Sequence, residues 1–153
     1  LKMASFKIQE TNDTIKTFNL NKDDPIQYQN QKIEIMDYLI NTSNPIIESY
    51  GEFTIEAYPF KSHGKLSYWC GYLSCNDKNK IKDILDNRYI WGGWTYETED
   101  KIGFDCTHYN DISFHTGIDY LDQYNNQELE EYTFKGPEWV LQQLKDVINL
   151  NNN

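Results

Sequence analysis

Four side chains that can act as acids, bases, nucleophiles or metal ligands lie within seven residues of one another, at Asp105, Cys106, His108 and Asp111. A thiolate that is activated by a histidine, itself oriented by a carboxylate, is one arrangement for nucleophilic catalysis. Cys106, His108 and Asp111 are therefore candidate catalytic residues. The same residue types also bind zinc and other transition metals.

Two physical arguments count against both kinds of site. Successive side chains of a strand point to opposite faces, so Asp105 and Cys106 cannot converge on one ion or substrate unless the chain turns at His108. The carboxylates nearby would also raise the pKa of the Cys106 thiol, whereas a nucleophile needs it lowered. A buried cysteine that packs as a small apolar side chain is the simpler interpretation, and we predict no metal and no other cofactor.

A pair of glycines, Gly92-Gly93, lies among aromatic residues just before these groups. The strand pattern predicts a hairpin in which 89–97 pairs with 101–107 around a turn at 98–100. Glycines inside a strand indicate a bulge, a bend or the close approach of a ligand. Stacking faces and hydrogen-bonding groups would then line one binding surface, although the same residues could serve only the fold. The predicted ligand-binding residues are Gly92, Gly93, Trp94, Tyr96, Asp105, His108 and Asp111.

Three segments of this region resemble motifs of a family of small phage and large-virus proteins that has no assigned activity. They are Cys70-Gly71-Tyr72, Gly92-Gly93-Trp94-Thr95-Tyr96 and the stretch from Gly103-Phe104-Asp105-Cys106 through His108 to Asp111. The resemblance covers roughly 66–148 and implies a viral accessory protein. Members often carry histidines where this chain has Tyr68-Trp69 and Trp91, so a metal site built on those histidines is not implied here.

The elements that must position these residues can be predicted from periodicity and caps. Asp24-Pro25 predicts a helix that runs to about Thr42, and Asp77 predicts a short helix after it. Alternation predicts strands over 46–58 and 65–74, while 110–133 is predicted as loop with short pieces of structure. Gly136-Pro137 opens a final helix with one apolar face. We predict an α+β fold, a single domain over 1–150 with an antiparallel sheet packed on one face by two or three helices, and a disordered tail at 151–153.

Composition restricts the partners. Ten carboxylates and one lysine lie between positions 97 and 131, which accounts for most of the net charge of −10. Direct binding to nucleic acid is disfavoured, because affinity for phosphates requires clustered Lys and Arg. Three cysteines, an odd number, favour reduced thiols and a cytoplasmic location in a host cell, and no apolar run predicts contact with a membrane. Tyrosines in 109–132 would suit a homodimer contact.

The sequence favours an accessory protein of viral or phage type that acts by binding rather than by turnover. It could sequester a small nucleotide-like ligand, or it could inhibit a host protein by covering a basic surface with the acidic 97–131 segment. The alternative is a hydrolase or metal-dependent enzyme centred on Cys106, His108 and Asp111.

Overall fold

Capping signals set the starts of the long helices in the computed structural model, which describes residues 3–152. Helix α1 (Pro25–Asn41) begins after Asp24, whose carboxylate accepts a hydrogen bond from the Gln27 backbone N–H at 3.1 Å. Helix α2 (Lys78–Asn87) begins in the same way after Asp77. Both predicted starts are confirmed. The short helix α3 (Asn126–Glu131) precedes the last helix, α4 (Pro137–Asn151), which begins at the predicted proline.

The strands of the described residues form two sheets. The smaller sheet has the order β2-β1-β8, from strands Ala4–Gln9 (β1), Ile15–Leu20 (β2) and Phe134–Lys135 (β8), with β8 parallel to β1. The larger sheet is antiparallel and has the order β3-β4-β5-β7-β6. Its strands are Ile46–Tyr50 (β3), Phe53–Ser62 (β4), Lys65–Ser74 (β5), Tyr96–Glu97 (β6) and Lys101–Asp105 (β7).

The fold class is the predicted one, an α+β domain with an antiparallel sheet and several helices. The predicted strand at 46–58 is in fact a hairpin, because Gly51 adopts a positive φ of 61° and reverses the chain between β3 and β4. The predicted hairpin partner 89–97 is a strand only at its last two residues. Helix α4 continues through Asn151, so the predicted tail at 151–153 is helical where it begins, and residue 153 lies outside the described residues.

The core lies between the larger sheet and the helices, and α4 covers the centre of β4 and β5. A cluster of phenylalanines joins the two sheets, with Phe114 stacked on Phe134 at 5.3 Å and Phe6 at 5.7 Å from Phe114. The chain between the sheets is tied to both of them. Ile112 N–H donates to the Thr133 carbonyl at 2.8 Å, and Phe114 N–H donates to the Ser67 carbonyl at 2.9 Å. No helix of the described residues has the length and apolarity needed to cross a bilayer.

Gly71 is a point of close contact between α4 and the sheet, and it gives the first test of this packing. A Cβ on Gly71 would lie 2.4 Å from Cε1 of Phe104 and 2.7 Å from Cγ1 of Val140. Because both neighbours are buried, we expect Gly71→Ala to lower the free energy of unfolding by about 1–3 kcal/mol in urea denaturation. Combined with Val140→Ala, the loss should be smaller than the sum of the two single losses. Additive losses would contradict this packing.

Candidate functional site

Asp111 is the best-connected member of the predicted site, and its side chain is fully buried. A tight turn places it, since Asp111 N–H donates to the His108 carbonyl at 3.0 Å and Asn110 adopts a positive φ of 74°. Asp111 Oδ2 accepts hydrogen bonds from the Trp91 indole N–H at 2.9 Å and from the His108 backbone N–H at 3.0 Å. The carboxylate therefore joins the loop after α2 to the turn at 108–111.

Lys135 supplies the charge that balances Asp111. Its Nζ lies 2.9 Å from Asp111 Oδ1, off the direction of a hydrogen bond, and donates to Thr133 Oγ1 at 2.5 Å. The ammonium also lies 4.6 Å from the ring centroid of Trp91 and 5.6 Å from that of Trp139, within the range of cation–π attraction. Lys135 is buried, so an uncompensated charge at either residue would be costly.

His108 and Asp105 form a second polar group, which reaches the surface. His108 Nε2 lies 2.9 Å from Asp105 Oδ1, again without hydrogen-bond alignment, and the other Asp105 oxygen accepts from the Thr95 hydroxyl at 2.9 Å. A Cβ on Gly92 would lie 2.1 Å from Cδ2 of His108. Gly92 therefore leaves the space that the imidazole occupies.

The glycine pair belongs to a turn and not to a strand, which corrects the predicted hairpin. Gly92 and Gly93 have positive φ values of 69° and 86°, and Gly93 N–H donates to the Ile90 carbonyl at 2.8 Å. These conformations are open to glycine and cannot continue a ladder. Trp94, predicted to bind a ligand, instead donates its indole N–H to the Arg88 carbonyl at 2.9 Å and packs edge-on against Phe104.

Cys106, His108 and Asp111 are close in sequence but do not form a catalytic relay. The Cys106 side chain faces the core and is 1% exposed, and burial together with the Asp111 charge raises the pKa of its thiol well above the usual value. Within the described residues no hydrogen bond joins Cys106 to His108 or the His108 ring to Asp111. The hydrogen bond between Asp111 and His108 involves the His108 backbone and not its ring, so Asp111 does not orient the imidazole.

The part of the chain that the structure describes contains no cluster of side chains suited to a metal ion. No three His, Cys, Asp or Glu side chains are placed there to hold one ion. His63, a possible additional ligand from a loop, lies in the turn between β4 and β5 with a positive φ of 52°. All three cysteines are buried and free of disulfide bonds.

The outer face of the larger sheet carries a group of aromatic rings beside this polar group, and we call it the aromatic face. Strand alternation places Tyr58 and Phe60 of β4 and Tyr68 and Tyr72 of β5 on the side away from Ile55 and the rest of the core. Tyr96 of β6 completes the set. Their exposures of 44% for Tyr58, 42% for Phe60 and 45% for Tyr96 show that the rings are open to solvent.

The rings are held in place by contacts with one another. Phe60 stacks on Tyr68 at 4.8 Å, and Tyr72 meets Tyr96 edge-on at 5.3 Å. The Tyr72 ring crosses the strand β7 where it has no side chain, because a Cβ on Gly103 would lie 2.5 Å from Tyr72 Cδ1. The cross-strand pairs Tyr58–Cys70 and Cys70–Asp105 bring the polar group to the edge of the aromatic face.

Half of the ten acidic residues of 97–131 form ion pairs with lysines within the protein. Asp111 pairs with Lys135, while Asp119 and Asp122 share the Lys32 ammonium at 3.0 and 3.2 Å. Others form single contacts, Glu99 with Lys78 and Glu130 with Lys7. The tyrosines that suggested a homodimer are also mostly half-buried: of those at 109, 120, 124 and 132, only Tyr109 is exposed.

The structure brings the predicted residues together only in part. Tyr96 is exposed, and Asp105 and His108 are partly exposed, whereas Asp111 lies in the buried ion pair. Sequence reasoning missed Lys135 and the rings of β4 and β5. The rings had a signal, because Tyr58 and Phe60 alternate with apolar core residues, although the predicted strand ended at 58 and left Phe60 out. Lys135 had no such signal, since its partner is distant in sequence.

The contribution of the buried pair Asp111–Lys135 to stability can be compared with that of an exposed lysine–aspartate pair. We expect Lys135→Met to lower the free energy of unfolding by about 3–5 kcal/mol, because Asp111 is left buried without its counter-charge. Adding Asp111→Asn should recover part of this loss. The control is the exposed pair Lys82–Asp86, 3.4 Å apart, where Lys82→Met should cost less than about 1 kcal/mol. Equal losses for the two lysine variants in urea denaturation would show that the pair is not structural.

Comparison of the chain with protein-family models, with curated proteins and with solved structures finds no match. The resemblance to phage and large-virus proteins, and the viral origin that it implies, therefore stay predictions.

Proposed function

We propose that this protein acts by binding a small planar ligand of the nucleobase type on the aromatic face, without chemical turnover. One observation carries the proposal: rings lie open on the face of the larger sheet, and the helices that pack on this sheet, α2 and α4, lie on its other side. Exposed aromatic groups on a rigid sheet provide stacking surfaces for flat rings. A contiguous apolar surface of this kind indicates a binding site in a soluble fold.

Polar groups at one edge of the face supply the hydrogen bonds that such a ligand needs. Asp105 lies directly across from Cys70 in the sheet. Its carboxylate accepts from the Thr95 hydroxyl and from the Thr107 backbone N–H, and it also contacts His108. A carboxylate has four lone-pair directions, so Asp105 retains capacity for further donors. Heterocycles with amino or ring N–H groups, such as guanine and cytosine, present such donors on their edges.

Charge favours a nucleobase or nucleoside over a polyphosphate. The cation of the face, Lys101, lies 5.0 Å from the Tyr72 ring centroid and 3.7 Å from Glu56 Oε1, so its charge is partly balanced. Asp105 and Glu56 add negative charge, and the chain carries −10 overall. Phosphate groups would meet repulsion here, and long nucleic acids would meet more of it.

The enzyme alternative requires a reactive thiolate, which the geometry does not favour. Cys106 faces the core and is separated from the His108 ring, which rests on Gly92 beside Asp105. Inhibition of a basic host surface by the 97–131 segment gains no support either, since five of its ten carboxylates already pair with lysines of the protein. The rings of the aromatic face, by contrast, remain exposed to solvent.

Ligand binding can be measured by isothermal titration calorimetry with guanosine, cytidine, adenosine and uridine, each compared with its triphosphate. We expect saturable binding of a nucleoside that is tighter than that of its triphosphate. Tyr58→Ala and Phe60→Ala should each weaken it about 5- to 150-fold, the range for loss of one stacking partner. Tyr89→Ala is the matched control, because Tyr89 is 78% exposed and lies outside the aromatic face. No saturable binding, or an equal effect of Tyr89→Ala, would overturn the proposal.

The reactivity of the thiols and the pH dependence of stability can distinguish ligand binding from covalent catalysis. Burial and the Asp105 charge raise the pKa of Cys70 to about 12, and burial raises that of Cys106 as well. Because the folded pKa values exceed the unfolded value of about 8.5, these thiols stabilise the fold at pH 8 and lose that contribution as the pH rises. We expect slow reaction with a disulfide reagent at pH 8, fast reaction in urea, and a fall in unfolding free energy above pH 9 that Cys70→Ala reduces. A rapidly reacting Cys106 in the folded protein would instead favour the enzyme.

A further inference from the structure

A cavity of about 370 Å³ lies away from the aromatic face, between α1 and the turn that joins β4 to β5. Its walls are apolar and come from α1, from β5 and from the segment before the 3-10 helix at Ile118–Gln123. Leu39 and Phe114 are buried in it, whereas Met36 and Ile40 are 37% and 62% exposed at its opening. A volume of this size lies at the small end of the range for ligand pockets.

An irregularity in the sheet shapes one wall of the cavity. Phe60 pairs with Tyr68 but the next residue, Lys61, pairs with Leu66, so β5 contains one extra residue at Ser67. Such a bulge changes the direction of the side chains beyond it. Residues paired across strands share a face, and Lys61 and Leu66 therefore point together toward the cavity that both of them line.

A second lysine is held at the opening by a glycine. Gly117 has a positive φ of 95°, and a Cβ on it would lie 2.8 Å from Cδ of Lys65. The stem of Lys65 thus lies against the bare backbone of Gly117, at the edge of the cavity that both residues line. A side chain at 117 would displace it.

Lys61 and Lys65 are unusual in this acidic protein because neither ammonium group has a carboxylate, hydrogen-bond or aromatic partner among the described residues. Eight other lysines pair with a carboxylate within 4.0 Å, at positions 7, 32, 78, 80, 82, 101, 135 and 145. Four described lysines have none. Of these, Lys16 lies over the rings of Phe18 and Tyr38 and Lys22 donates to the Tyr124 carbonyl. The other two, Lys61 and Lys65, lie together at the mouth of an apolar cavity. That arrangement has a clear chemical complement: an apolar tail inside and an anionic head between two ammonium groups.

We propose that the cavity binds a straight-chain carboxylic acid of medium length. The tail would cover Leu39, Met36 and Ile40, which removes exposed apolar surface of the helix and of the ligand from water. The carboxylate would lie between Lys61 and Lys65. At about 30 Å³ for each heavy atom, the volume that a water molecule takes in the liquid, the cavity holds about twelve heavy atoms. Decanoate has that number.

The test is a titration of the full chain with hexanoate, octanoate, decanoate, dodecanoate and tetradecanoate, each below its micelle concentration. Affinity should rise about fourfold for each methylene that enters the cavity and should stop rising near decanoate. Decanol should bind at least tenfold more weakly than decanoate. The absence of saturable binding, or a continuing rise through tetradecanoate, would overturn the cavity as the site.

Surface variants keep the test independent of folding. Ile40→Asp places a charge in the tail path and should weaken decanoate binding at least tenfold, whereas Ile26→Asp is the control on the same helix, 77% exposed and outside the cavity. Lys61→Gln combined with Lys65→Gln should weaken decanoate binding and leave decanol binding unchanged. Lys82→Gln is the control for loss of positive charge. Equal effects of test and control variants, with thermal unfolding temperatures unchanged, would contradict the proposal.

Discussion

The buried pair of Asp111 and Lys135 constrains most of the arrangement around it. Two charges removed from water need each other and further polar partners. Here Trp91 and the His108 backbone donate to Asp111 Oδ2, and Thr133 accepts from Lys135. These partners come from the loop after α2, from the turn at 108–111 and from the residue before the edge strand β8. The pair therefore links that loop and that turn to the smaller sheet.

This constraint explains why the sequence around 105–111 resembles a reactive site. Aspartate, histidine and cysteine are needed for catalysis, but a buried joint between elements needs the same donors and acceptors. Asp111 is buried in its ion pair, whereas Asp105, at the end of β7, and His108 are partly exposed. The two carboxylates therefore have different environments. The inner one orders the fold, and the outer one remains available to a ligand.

Local sequence signals predicted the helix starts correctly wherever a capping residue or a proline sets the first turn. Helices α1, α2 and α4 begin where Asp24, Asp77 and Pro137 indicated. The sequence-based prediction was incomplete or wrong where the structure depends on pairing between distant residues or on the conformation of glycines. The hairpin of β1 and β2 was not predicted, although Ala4, Phe6 and Ile8 alternate in burial, and its completion by β8 joins residues more than a hundred positions apart. Residues 89–95 read as a strand because their aromatic content outweighed two glycines that adopt positive φ.

The aromatic face shows why a site can be visible in a pattern and still be missed. Alternation along β4 and β5 tells which residues share a face, but it does not tell which face the helices will cover. That choice is made by close packing: Gly71 admits Val140 of α4 on one side, whereas Gly103 admits the Tyr72 ring on the other. Once α4 lies against Gly71, the tyrosine side has no covering helix, and its rings can only pack on one another. The rings stay exposed because close packing assigns α4 to the other face, and this uncovered surface is the observation from which the ligand site is proposed.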